Sequence, residues 1–443
     1  MTREMHLNAF LTSVGHHQSA WRLPESDPLA NTDVEHFRHL ARVAERGKLD
    51  SLFLADHPGL WGDISRQPAA ALEPTVLLTV LAGATEHIGL IATASTTYNE
   101  PFNLARRFAS VDHVSGGRVG WNIVTTATLI AARNFGLDEL PGHRDRYARA
   151  DEFVELSRKL WDSWEDNAIL GDKEAGVWGD NSRLHAPAHV GTYFNVAGAL
   201  DVARSPQGYP LLVQAGSSED GRDFAARHAD AVFTVQQSLD EAQAFYADLK
   251  KRAAHFGRDP ETVKILPGIV PTIGSTQAEA EEADAQLARL IKPEYAIKQL
   301  VNILQVPADE LHLDEELPAS ITTDRRIEGG QGRYALVVGL ARRERLTVRQ
   351  LIGRLGAGRG HHTLAGTPEQ VADAMQHWFE NAAADGFNIM PPVLPSGLES
   401  FVDHVVPILQ ARGLFRTEYS GKTLRDHYGV VRPANQYVDG EAG

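Results

Sequence analysis

The chain has 443 residues, a formal net charge of -15, 43% hydrophobic and 23% charged residues, and no cysteine. This composition excludes wholesale disorder and a collagen-like chain, and the negative charge argues against a broad nucleic-acid-binding face or attachment to an anionic membrane. Disulfides, thiolate metal sites and a Cys nucleophile are ruled out, and the polar start with no signal-length or membrane-length apolar run makes the cytoplasm the expected setting.

In chain order, His6 to Leu11 reads as a strand and Asp33 to Gly47 as a helix, with Val34, Phe37, Leu40, Val43 and Ala44 on one face. Asp50 to Asp56 is an almost continuously apolar strand, as expected where both faces are covered, and Pro74 to Thr85 a helix. Strand Ile88 to Thr93, helix Pro101 to Ser115 and strand Arg118 to Thr125 follow, then helix Tyr147 to Trp164. The stretch from Asn167 to Tyr209 is irregular and too long for an ordinary connection, which suggests an excursion over an active-site mouth. The alternation resumes with strands Leu211 to Gln214, Asp230 to Val235 and Val263 to Ile273, and with helices Leu239 to Phe256 and Ala278 to Ile291. Pro293 to Ala365 departs from the repeat, and helix Pro368 to Ala384, strand Phe387 to Pro391 and helix Leu398 to Arg412 complete an eighth unit. The expectation is a single α/β domain over residues 1–443, a (β/α)8 TIM barrel with insertions at about 165–209 and 293–365. A doubly wound sheet is the runner-up. The tail, 414–443, is expected to wrap the outside or a partner subunit.

In such a barrel the site lies just after the strands. The residues there are Asn8 and Phe10 with His16 and His17; Asp56 and His57; Thr96, Thr97 and Tyr98; Asn122, Thr125 and Thr126; and Ser217 and Ser218. Mostly neutral hydrogen-bonding groups around an apolar mouth suit a large, flat, polar-edged cofactor better than metal hydrolysis. The turn Gly216-Ser217-Ser218 before a helix start offers free backbone N–H groups and two hydroxyls, which serve either as an ordinary N-cap or as a phosphate cradle. Nineteen histidines include His16-His17, His361-His362 and the Pro-interrupted pair His185 and His189, but no accompanying carboxylate motif makes a metal site of them. The Gly-rich run 353–360 lacks the last glycine of a dinucleotide loop, since His361 stands there.

Four stretches together carry a resemblance: Gly120-Trp121-Asn122-Ile123-Val124-Thr125, Arg146 to Phe153, Gln214 to Ser218 with Gly221-Arg222, and Gly386 to Pro392. The chain resembles the bacterial-luciferase-like flavin monooxygenases, and within them the group of nitrilotriacetate monooxygenase component A, dibenzothiophene-sulfone and long-chain alkane monooxygenases. The resemblance implies a two-component enzyme that receives reduced FMN from a separate flavin reductase, adds O2 to form a flavin peroxide, and oxygenates a small organic substrate such as a xenobiotic, sulfone or amino-polycarboxylate. It implies phosphate contacts from Ser217, Ser218, Tyr147 and Thr126, and a flavin ring lined by Asp56, Thr96, Thr97 and Asn122. His17 and His361 are the candidates to hold the activated oxygen, and Phe10, Trp61 and Tyr98 to wall the substrate pocket. A homodimer or homotetramer is expected, with no metal, nucleic acid or membrane. A deazaflavin-dependent oxidoreductase of the same fold and a non-catalytic flavin-binding protein remain the alternatives.

Overall fold

The structure, a computed structural model, describes residues 3–60, 63–69, 71–327, 331–358 and 360–438. Eight parallel strands close on themselves: β1 His6–Leu11, β2 Ser51–Leu54, β3 Gly89–Ser95, β4 Val119–Val124, β5 Leu211–Gln214, β6 Ala231–Thr234, β7 Lys264–Ile273 and β8 Gly386–Ile389. Closure is made by β1, whose residues His6 to Ala9 pair with Gly386 to Ile389 of β8, and by β7, which pairs with both β6 and β8. The fold is therefore a (β/α)8 TIM barrel and not an open doubly wound sheet.

The strands alternate between two apolar environments, which explains their almost unbroken hydrophobicity. Leu7, Ala9, Leu11, Leu52, Leu54, Leu90 and Ala92 pack outward into the layer shared with the helices. Phe53, Ile91, Leu211, Val213, Phe233, Leu266 and Met390 fill the interior. The helices start on side-chain caps where the sequence supplies them. Asp33 accepts from the Glu35 amide ahead of Val34–Arg46, and Thr367 with Gln370 forms a capping box for Pro368–Glu380.

Three connecting segments differ from expectation. The stretch after helix His143–Trp161 does not roof the mouth. It lies along the flank and amino end of the barrel, where Glu152 binds the amides of Tyr193 and Phe194, Gln207 binds the Val119 carbonyl, and Arg204 binds the Pro433 carbonyl. Helix length explains this, because a helix that has run antiparallel to the strands delivers the chain to their amino ends. The segment that does cover the carboxyl ends leaves β7 with helix Gln277–Arg289 and stays at that end until helix Pro368–Glu380 returns the chain for β8. Helices Pro293–Leu304, Gln331–Glu344 and Val348–Gly358 share a separate core of Leu300, Leu304, Val337, Val338 and Leu351. It ends in an additional strand, His362–Gly366, which pairs with Ile269 to Ile273 of β7 beyond the barrel proper. The tail, finally, does not wrap the outside: the short helix Leu424–His427 plugs the amino end of the barrel.

That plug is specified in detail. Leu424 fits only because β3 and β4 begin with small residues, since a Cβ on Gly89 would stand 2.3 Å from its Cδ1 and one on Gly120 3.2 Å from its Cδ2. Tyr428 stacks on His6 at 4.9 Å and donates its hydroxyl to Asn8 Oδ1 at 2.7 Å, where Ser51 Oγ also donates at 2.8 Å. Asn8 in turn donates to Asn388 Oδ1, carrying the network across to β8. Beside it the fully buried Asp50 accepts from the Leu7 amide and from Arg416 and faces His6. Burial opposes the Asp50 carboxylate, yet Arg416, His6 and the Leu7 amide together hold it below its ordinary range. No helix among the described residues is long and apolar enough to cross a membrane.

Candidate active site

The carboxyl end of β5 builds the most defined feature. After Gln214 the chain turns, the Gly216 amide donates to Gln214 Oε1 at 2.6 Å, and Ser218 caps helix Glu219–His228 by accepting from the Gly221 amide at 3.2 Å. The glycines let neighbouring side chains close in on the backbone. A Cβ on Gly216 would lie 2.3 Å from Gln214 Nε2, and one on Gly221 would lie 2.9 Å from the Tyr147 hydroxyl and 3.1 Å from Ser218 Oγ. Ser217, Ser218 and Tyr147 are thereby brought together, although Tyr147 lies seventy residues upstream on another helix. Both serines are exposed.

Two acids in the first turn of that helix would oppose an anion, but each is engaged elsewhere. Glu219 pairs with Arg252 at 2.7 Å and Asp220 faces His143 at 2.8 Å. The helix N-terminus, with its positive dipole end, is left to set the local field beside the two serines. The covering insertion also reaches it, since a Cβ on Gly332 would lie 3.5 Å from Ser217 Oγ.

Around the mouth, several predicted residues present polar atoms that no described residue satisfies. Thr97 Oγ1, the Tyr98 hydroxyl and Asn122 Oδ1 are buried without hydrogen-bond partners, while Asn122 Nδ2 donates to Thr93 Oγ1 at 2.8 Å. Buried polar groups are ordinarily paired, so such a concentration points to a ligand that pairs them. Thr96 is engaged: its amide donates to the Val124 carbonyl, and its own carbonyl accepts from Arg149. Tyr98 stacks on Phe135 at 4.7 Å, and burial pushes its hydroxyl pKa up. Asp56 follows β2, its carboxyl pushed up by partial burial and by the Glu73 carboxylate. Thr126 is half-buried in the loop after β4 and makes no hydrogen bond among the described residues. Trp61 lies outside the described residues.

The two histidines come to the mouth by different routes. His17, 2% exposed, accepts from the Ser19 amide through Nδ1, its Nε2 is buried with no partner, and burial lowers its pKa to about 4. His361 arrives from the insertion and stacks on Phe233 of β6 at 5.1 Å, rings nearly parallel at 3°. Its approach requires Gly268 on β7, where a Cβ would stand 2.3 Å from His361 Nδ1. Phe10 packs edge-on against Phe53, Phe233 and His16, forming an aromatic layer inside the barrel. The arrangement can hold an anion at one edge, line a flat polar-edged ring, and keep water off one face. Among the described residues no cluster of three or more His, Asp or Glu side chains could hold a metal ion.

Sequence reasoning missed the close packing of Tyr147 on Gly221 and His361's dependence on Gly268. The first had a readable sign in the glycine one turn into the helix; the second is a contact between distant segments.

Comparison with known proteins bears out the barrel fold. Residues 9–386 match the family model described as luciferase-like monooxygenase. N-acetyl-S-(2-succino)cysteine monooxygenase of Bacillus subtilis (strain 168) is 46% identical over 98% of this chain and 99% of its own. Nitrilotriacetate monooxygenase component A of Aminobacter aminovorans is 46% identical over 98% of each. Among solved structures, EDTA monooxygenase from Chelativorans sp. BNC1 superposes with a TM-score of 0.80 at 36% identity, covering 97% of this chain and 99% of that one.

Proposed function

The chain belongs to the luciferase-like monooxygenase family, and from that premise we propose that it is the oxygenase of a two-component system, taking reduced FMN from a separate flavin reductase. Its substrate is a small organic molecule, and its setting is the cytoplasm. The observation that carries the cofactor assignment is the gathering of the Ser217, Ser218 and Tyr147 hydroxyl groups at the N-terminus of helix Glu219–His228, with Tyr147 so close to Gly221 that a larger residue there would displace its hydroxyl. The unpaired atoms of Thr97, Tyr98 and Asn122 fit the polar edge of the flavin ring.

When bound, reduced FMN supplies the two electrons with which one oxygen atom of O2 enters the substrate and the other leaves as water. The protein's part is binding and environment. Ser217, Ser218 and Tyr147 would hold the phosphate, Thr97 and Asn122 would meet the polar edge of the ring, and Phe10, Phe53 and Phe233 would keep water out of the barrel interior beside it. His17, neutral at pH 7 with Nδ1 accepting from the Ser19 amide, carries its proton on the unused Nε2 and can donate it in a hydrogen bond to the reacting oxygen, and His361 is held against Phe233.

The chain acts as a homodimer or homotetramer. The hairpin of Ile169–Asp172 and Val177–Gly179 presents Ile169, Leu170, Val177 and Trp178 to solvent in the single chain, an apolar patch that a second copy would cover.

The test is an anaerobic titration with reduced FMN, followed by mixing with oxygen-18 and candidate substrates, including nitrilotriacetate and dibenzothiophene sulfone. Tight binding, weakened about tenfold (about 1.4 kcal/mol) by Ser218→Ala, and label in an organic product are expected. No binding of reduced FMN would refute the reading.

A further inference from the structure

A cavity of about 210 Å³ lies beside the mouth, lined by Gln18, Ser19, Trp21 and Arg22 from the segment after β1, by Ser65 and Arg66 after β2, and by Leu290, Lys292 and Tyr295 from the covering insertion. Three cations from three separate segments thus meet in one small space. None of them forms an ion pair among the described residues. Arg22 spends one N–H on the Leu290 carbonyl, and Asp63, which acts electrostatically on Arg66, has its carboxylate hydrogen-bonded to Ser65.

Two further donors are waiting there. Trp21 Nε1 and the Tyr295 hydroxyl are buried and have no hydrogen-bond partner, a state that costs stability unless an acceptor completes it. Arg66 and Lys292 are exposed and solvated, so it is the buried donors that lack a partner, and the three cations beside them favour an anionic acceptor over a neutral one. The volume is below the ~300–1,000 Å³ usual for drug-sized ligands, so the cavity suits the charged end of a molecule. It also adjoins the chemistry: the wall residue Ser19 is the one whose amide holds His17 Nδ1 at 3.1 Å.

We propose that this cavity seats carboxylate groups of the organic substrate, bound by Arg22, Arg66 and Lys292 with Trp21 and Tyr295 as hydrogen-bond donors, so that the enzyme acts on small polycarboxylates. This rests on the monooxygenase reading above, and the two can fail separately. Fork-shaped arginine N–H groups match carboxylate geometry, and three cations from different loops select for more than one carboxylate.

The test is calorimetric titration of the full chain with propane-1,2,3-tricarboxylate and with its uncharged triamide, alongside reduced-FMN titration of the same preparations. Arg66→Gln and Lys292→Gln are the variants, because neither side chain holds the fold together, whereas Arg22 also supports Leu290. The tricarboxylate should bind, the triamide at least tenfold more weakly, and each variant should lose at least tenfold for the tricarboxylate while keeping its reduced-FMN affinity. Equal binding of the triamide, unchanged affinity in both variants, or no tricarboxylate binding would overturn the proposal. Carboxylate binding that follows this pattern in a protein that fails to bind reduced FMN would uphold the cavity as a carboxylate site and refute the flavin assignment instead.

Discussion

A methyl group at Gly221 would occupy the space between the Tyr147 hydroxyl and Ser218 Oγ, so Gly221→Ala is expected to weaken reduced-FMN binding at least tenfold, read by anaerobic titration, with little change in melting temperature. Ser218→Ala differs, since it also removes a helix cap and should cost about 1 kcal/mol of stability in urea unfolding. Two buried histidines set an acid limit. His17 and His427 are both depressed from 6.5 to about 4, His17 by burial and His427 by burial together with the Arg416 charge. Between those values the unfolded chain binds a proton at each that the folded chain does not, so stability falls as pH drops from 6.5 toward 4, by on the order of 3 kcal/mol per histidine at the lower end. Urea midpoints across that range should show the slope, and His427→Leu should flatten it. The serine turn and His17 were legible because each lies in a local pattern, a strand end followed by a helix start or a loop. The cation cavity was not, since Arg22, Arg66 and Lys292 are unremarkable singly and meet only through the fold.

The eight strands were readable as elements because burial on both faces leaves near-continuous apolar runs, and the stretch after each carried helical spacing. What could not be read was which end of the barrel each long connection serves, and so the excursion over the mouth was expected from 167–209, whereas the segment after β7 supplies it. The strand His362–Gly366 escaped because its five residues, all but the last only half-buried, alternate too briefly to stand out. The plug helix escaped for a related reason: four residues of helix carry no periodicity. Its weight is nonetheless large. Leu424 is fully buried between β3 and β4, and Leu424→Ala should cost about 2–5 kcal/mol, measured by chemical unfolding, with reduced-FMN affinity at the opposite end of the barrel preserved. A parallel loss of both would mean that floor and mouth are not separable.

For the molecule as a whole, the exposed hairpin is the place where an assembly is expected. Trp178, 65% exposed in the single chain, should be covered in the oligomer, and Trp178→Lys is expected to shift sedimentation toward the monomer. A variant that sediments as the wild type does would move the interface elsewhere. The closure of the barrel has a consequence for how the protein is made. Asn8 of the first strand meets Asn388 of the last, 380 residues later, and Tyr428 reaches Asn8 across 420. While the chain is being synthesised, β1 therefore has one edge without its partner, and an open parallel strand edge is an invitation to wrong pairing. Slow translation, or a ribosome stalled anywhere short of the plug, should leave an aggregation-prone intermediate, and production of this protein should depend on chaperones more than its native stability alone would suggest.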